Sequence, residues 1–145
     1  MKTAQNLKNH KRMHPIQHFF WLPLSGVTIL TALTGTIAAI IKGDAVLTFV
    51  LILAAAIIGF ISGFLARRNA LIVQDRIIRM EEQFRYFRLM GSMPSEKITI
   101  KQWIALRFAS EKEFPALTDK AAQQNLSAEQ IKEAIKSWRS DDYRV

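Results

Sequence analysis

The sequence predicts an all-α protein: a two-helix transmembrane hairpin, its second span continuing as a long cytoplasmic helix, then a small three-helix cytoplasmic domain. Three observations predict it. Between Phe19 and Ala66 the only charged residues are Lys42 and Asp44. An apolar period of alternating threes and fours runs from the second apolar run out to Phe87 without a break. Three capping-box patterns then follow the breaker Gly91-Ser-Met-Pro-Ser95. No strand pattern and no internal repeat competes with this reading.

The expected boundaries are a basic arm over 1–14, a hairpin over 15–66, a helical stalk over 67–91 and a helical domain over 92–145. Within the hairpin the spans cover about 19–41 and 45–66. At about 1.5 Å of rise per residue, runs of this length reach across a hydrocarbon core of about 30 Å. In lipid every backbone polar group must be paired internally, so such runs are helical. Pro15 suits a first helical position, and Pro23 marks an early bend. Phe19, Phe20 and Trp21 fall where an interfacial aromatic belt is expected. Ser25, Thr28, Ala32, Gly35 and Ala39 form a small-residue face on the first span. Gly59 and Gly63 give the second a small-xxx-small pattern, and both faces are expected to pack within the hairpin.

The second helix is expected from about Ala45 to Met90. Its apolar seam comprises Phe49, Ile52, Ala56, Gly59, Gly63, Ala66, Ala70, Val73, Ile77, Met80, Phe84 and Phe87, a coiled-coil-like heptad. Asp75/Arg79 and Glu81/Arg85 are expected to pair at four-residue spacing. The residues Val73, Ile77, Phe84 and Phe87 require a partner, either the C-terminal region or another copy of the chain. Gly91 ends the helix. Thr99/Gln102, Ser110/Glu113 and Ser127/Gln130 are then expected to open helices carrying Trp103, Ile104 and Phe108, then Phe114, Leu117 and Ala121, then Ile131, Ile135 and Trp138. Asn125 suits a left-handed helix end, and Arg107 is expected to pair with Asp141 or Asp142. A core of about 50 residues is small, which favours docking on the long helix.

Nearly all of the formal charge of +8 lies beside the apolar runs. Lys2, Lys8, Lys11 and Arg12 precede the first run with no acid, and six arginines follow the second against three acids. Positive charge at span ends marks the cytoplasmic side, so both termini are placed inside. Lys11, Arg12, Arg67 and Arg68 are the candidates for anionic lipid headgroups. No nucleic-acid reading motif accompanies the charge, so nucleic acid is not an expected partner. The first run exceeds the usual core of a cleavable signal, so it is read as a retained span.

Candidate chemistry is sparse. His10, His14 and His18 recur every four residues and are weak candidates for a metal or pH sensor, but Pro15 interrupts the helix that spacing needs. Neither span holds an ionisable group, which argues against a proton-coupled or ion-selective transporter. A pore lined by Ser25, Thr28, Thr31 and Gly35 leaves a small oligomeric channel or transport accessory as an alternative. The chain has no cysteine, and the C-terminal 54 residues have no histidine, no Gly-rich phosphate loop and no metal-spaced cluster. No catalytic residue and no cofactor is therefore expected.

Three further strings are distinctive: Asn6-Leu-Lys-Asn-His10-Lys-Arg with Pro15 and His18, Trp103-Ile-Ala-Leu-Arg-Phe-Ala-Ser110 with Phe114-Pro-Ala-Leu117, and Ile131-Lys-Glu-Ala-Ile-Lys-Ser-Trp-Arg139 ending in Asp142-Tyr-Arg-Val145. With the paired spans and Val73-Gln-Asp-Arg-Ile-Ile-Arg-Met-Glu-Glu82, the chain resembles a family of small bacterial two-span inner-membrane proteins of unknown function. That resemblance implies a bacterial inner-membrane location and a cytoplasmic helical tail, and brings no activity. The expected role is an oligomeric scaffold or adaptor, its partners the bilayer with anionic headgroups and a second copy or another membrane protein.

Overall fold

The computed structural model describes residues 6, 7 and 14–141. A single π-helical turn, Ile16–Trp21, leads into α1 (Leu22–Lys42), followed by α2 (Val46–Met90), α3 (Ile100–Leu106), α4 (Phe114–Gln124) and α5 (Ala128–Ala134). The described residues form no sheet, and their one extended pairing is an isolated bridge between Ala109 and Trp138. The described chain divides into two compact units that meet in sequence between Ala70 and Leu71.

Two helical stretches, Ile16–Lys42 in the first unit and Val46–Met90, which begins in the first unit and continues into the second, are long and apolar enough to cross a membrane. The wide turn before α1 has a local cause. Pro23 lacks the N–H that an α-helix would aim four residues back, and Leu22 N–H reaches the Gln17 carbonyl instead. Gly43 closes α1 with φ 69°, and Ala45, a residue with a Cβ, is also left-handed at φ 54°. This tight corner makes α1 and the start of α2 neighbours.

The inner face of α1 is Ser25, Ile29, Ala32, Thr36 and Ala39, continued by Trp21 of the π-helical turn before it. Ala32, Thr36 and Ala39 are buried, and Thr28 of the expected small-residue face is exposed. Thr36 donates to its own helix at Ala32 O (2.8 Å) and lies 3.2 Å from Phe49 O across the hairpin. Trp21 stacks on Phe60 with ring centroids 5.3 Å apart. Of the expected aromatic belt, Phe19 and Phe20 stay exposed, while Trp21 turns inward to Phe60.

Two close approaches explain two glycines. A Cβ on Gly35 would lie 2.7 Å from the Phe49 ring, and one on Gly63 would lie 2.5 Å from the Trp21 indole. Gly59 meets nothing within 4 Å, so the expected pair does not act as one packing face. Gly63→Ile is accordingly expected to weaken the hairpin by about 1–3 kcal/mol through overpacking, with Gly59→Ile near neutral. The SDS fraction at which the Trp21 environment opens, read by fluorescence, checks this contrast.

In the second unit, Tyr86 of α2 joins Ile98, Trp103, Leu106, Phe108, Phe114, Leu117, Ala121 and Ile131 in one buried cluster. The small helices thus dock on the outer half of α2, and residues 71–90 pack with them rather than forming a separate stalk. Gly91, with φ 69°, ends α2. Thr99/Gln102 and Ser127/Gln130 form reciprocal capping boxes. Asn125 ends α4 in the left-handed region at φ 48°.

Three expectations about this unit need correction. Ser110/Glu113 does not open a helix: α4 begins at Phe114, and Glu113 is its N-cap without a side-chain cap bond. Its carboxylate instead accepts from the backbone N–H groups of Lys136 (3.1 Å), Ser137 (3.0 Å) and Ser110 (3.3 Å). Phe108 lies beyond α3, which stops at Leu106. Ile135 and Trp138 lie beyond α5, where the chain turns extended at Ile135 and pairs alongside Ala109. The Ser110 N–H···Ser137 O and Arg139 N–H···Phe108 O bonds fix that pairing.

Burial would raise the Glu113 carboxyl, but the N–H groups of Lys136, Ser137 and Ser110 outweigh it and hold it below its ordinary value. A lowered carboxyl contributes stability in full above its unfolded pKa of about 4.3 and loses it as pH falls through the folded value. Glu113→Gln is expected to cost about 1–2 kcal/mol at neutral pH. The difference from the parent should shrink below about pH 4. Thermal melting by near-ultraviolet circular dichroism at both pH values checks it.

Candidate interaction surface

Two surfaces on the outer half of α2 carry candidate function. One is a cleft of about 490 Å³ lined by α2, the 107–111 segment and residues 139–141. The other is the apolar stripe left exposed on the same helix.

The cleft is built around a buried ion pair. Glu82 and Arg85 sit one turn apart, each side chain only 6 % exposed, with Arg85 Nη1 donating to Glu82 Oε2 at 2.9 Å. Arg85 Nη2 also donates to Ala109 O at 2.8 Å, and its guanidinium lies 4.3 Å over the Phe114 ring. Arg139 approaches Glu82 at 3.6 Å. Burial pushes the Glu82 carboxyl up, against the pull of the neighbouring Arg85 and Arg139 charges. The expected Glu81/Arg85 pair is thus replaced by Glu82/Arg85, because Glu82 and Arg85 share the covered face while Glu81 points to solvent.

Around it, Arg107 pairs with Asp141 at 2.9 Å, as anticipated, and Arg88 with Glu111 at 2.6 Å. The four arginines lining the cleft are equalled in number by four carboxylates, Glu81, Glu82, Glu111 and Asp141, so the cleft holds no net charge to attract an anion. Tyr86 donates to Asp119 Oδ1 at 2.6 Å, and that bond, with burial, pushes the phenol up to about 12. Chemically this is a clasp: cations and anions from residues distant in sequence neutralise one another and fix α2 to the small helices.

The stripe behaves differently. Val73, Ile77, Met80, Phe84 and Phe87 are 45–69 % exposed. At 3.6 residues per turn they lie about 180° around α2 from Ile78, Glu82, Arg85 and Tyr86, the buried face. The C-terminal helices therefore do not cover the stripe.

Its geometry also corrects the idea of one seam in register from Phe49 to Phe87. Within the first unit the partly buried positions of α2 are Val46, Phe49, Leu53, Ala56, Phe60, Gly63 and Arg67, whereas Ile52, Gly59, Ala66 and Ala70 are exposed. The start of the seam therefore faces α1, and its end faces away from the docked helices.

The remaining candidates are spread out. His18 Nδ1 lies 3.0 Å from His14 O, and Gln17 N–H lies 3.4 Å from His14 Nδ1. Among the described residues no three metal-ligating side chains gather. His10, Lys11 and Arg12 lie outside the described residues. Arg67 is partly buried and Arg68 exposed, both at the outer end of the first unit. Glu82, Tyr86 and Asp119, which are not candidates on sequence grounds, make the contacts of the clasp. The only signal was Glu82 and Arg85 at three-residue spacing.

These features define a class: an all-helical chain with two helices of membrane-crossing length and composition, followed by a small helical unit. A family model matches residues 1–145, and the chain belongs to that family of unknown function, DUF6526. No curated protein and no solved structure matches the chain.

Proposed function

We propose that the chain is a membrane-anchored oligomeric scaffold or adaptor that presents a helical interaction surface to the cytoplasm of a bacterial cell. The exposed stripe Val73, Ile77, Met80, Phe84 and Phe87 carries this reading. Five large apolar side chains in a row on a folded unit leave water only by meeting a partner. In this reading the anchor is the pair of long apolar helices, and the arginines after the second span support a cytoplasmic stripe with both termini on the same side of the inner membrane. The channel alternative is weakened by the hydroxyls themselves. Thr28 and Thr36 donate to carbonyls four residues back in their own helix, which consumes their donors in packing.

The test is oxidative cross-linking of an Ile77→Cys variant in native membranes, with affinity capture from the same membranes. Cross-linked multimers, or a stoichiometric membrane-protein partner, are the expected result. A chain that stays monomeric and captures nothing overturns the reading.

A further inference from the structure

On the exposed stripe Ile77 and Phe84 occupy heptad position a, and Val73, Met80 and Phe87 occupy d. That assignment places Asn69, Arg76 and Gln83 at g, and Gln74, Glu81 and Arg88 at e. Arg76 and Glu81 are both exposed, and neither has an ion-pair partner among the described residues. In a parallel coiled coil each g residue meets the e residue five positions further on in the partner helix. Arg76 then faces the partner's Glu81, Asn69 the partner's Gln74, and Gln83 the partner's Arg88.

We propose that the occupant of the stripe is a second copy of this chain, parallel and in register, with Arg76 of each copy paired to Glu81 of the other. The inference rests on the membrane-anchored reading, because two copies inserted the same way present their α2 helices in parallel. The charges select the register. Sliding one copy by a heptad in one direction sets Arg76 against the partner's Arg88, a like-charge contact, and sliding either way leaves an apolar layer uncovered. The arrangement is also open sterically, since the docked helices cover the opposite face of α2. Residues 73–87 make only about two heptads, too short a seam to hold dissolved helices together. Anchoring both copies in one bilayer raises their effective concentration, and α2 is already ordered by its own unit, so a short seam suffices.

The experiment uses the full chain in native membranes. Disulfides are expected to form between identical positions with Ile77→Cys and Phe84→Cys, and not with Arg79→Cys, which lies off the stripe. In the Ile77→Cys background, R76E or E81R alone should reduce the cross-linked fraction by about three- to tenfold, and the double reversal should restore it. Cross-linking at Ile77 that ignores both reversals, or that joins Ile77→Cys to Phe84→Cys more readily than to itself, overturns the register while the scaffold reading stands. A chain that stays monomeric but captures another membrane protein overturns the self-pairing and leaves an adaptor. A monomer that captures nothing overturns both.

Discussion

Arg85→Ala is expected to destabilise the unit built on residues 71–141 by about 3–5 kcal/mol, the scale for breaking a buried ion pair from one side. The substitution removes the cation 2.9 Å from Glu82 and strands a carboxylate that is only 6 % exposed. It also removes the donor to Ala109 O. Arg139, at 3.6 Å and itself half exposed, replaces little of the lost field. Removing both charges is a different experiment. Glu82→Leu with Arg85→Met should recover most of the loss, since apolar groups of similar volume need no compensation. The residue of the cost, about 1–3 kcal/mol, belongs to the unsatisfied Ala109 carbonyl.

Acidification gives an independent sign. Burial already raises the Glu82 carboxyl, and without Arg85 it rises further. A raised carboxyl favours the folded state fully below its unfolded pKa and loses that contribution as pH rises through the folded value. The deficit of Arg85→Ala should therefore shrink as pH falls from about 8 towards about 5. Amide exchange of residues 100–135 in the full chain measures it. A deficit under about 1 kcal/mol, or one that grows on acidification, contradicts the clasp.

Local rules made part of this fold readable. A lone Lys42-Gly-Asp44 between two apolar runs fixes a hairpin, and the observed start and end of α2 lie within a residue of those expected. Thr99/Gln102 and Ser127/Gln130 close their boxes because both partners lie within one turn. Ser110/Glu113 has the same spacing but makes only half a box: Glu113 accepts from Ser110 N–H and also from N–H groups 23 and 24 residues away, while the Ser110 hydroxyl turns to the Glu113 carboxylate and caps no helix N–H. No window of one or two turns contains that competition. Burial hid the clasp for a related reason: Glu82 and Arg85 look like a solvent face until Ala109, Phe114 and Arg139 arrive to cover them.

The candidate surface was legible as residues but not as a direction. Counting threes and fours finds Val73, Ile77, Met80, Phe84 and Phe87, yet the count treats a seven-residue repeat as straight. A repeat of seven is out of step with 3.6 residues per turn, so counting alone assigns the seam no facing within either unit. Under the proposed pairing its occupant is a second copy, whose trace in one chain is limited to charges such as Arg76 and Glu81 that have no ion-pair partner among the described residues.

Phe114→Ala should be as costly as loss of Arg85, at about 3–5 kcal/mol, because the ring is wholly buried where α2, α3 and α4 converge. Tyr86 meets it edge-on at 6.3 Å, Trp103 lies at 6.5 Å, and the Arg85 guanidinium sits over its face at 4.3 Å. Size and electronic character can be separated. Phe114→Leu keeps most of the volume, so a ring that merely fills space predicts a loss below about 1.5 kcal/mol. A ring that also helps hold a desolvated guanidinium predicts up to about 2 kcal/mol more. A double-mutant cycle with Arg85→Met decides between them, since the cation–π share vanishes when either partner is gone. Coupling of about 1–2 kcal/mol is expected, read from thermal melting of the full chain. Additive losses would assign Phe114 to packing alone and leave Glu82 and Ala109 as the only groups that neutralise Arg85 in the core.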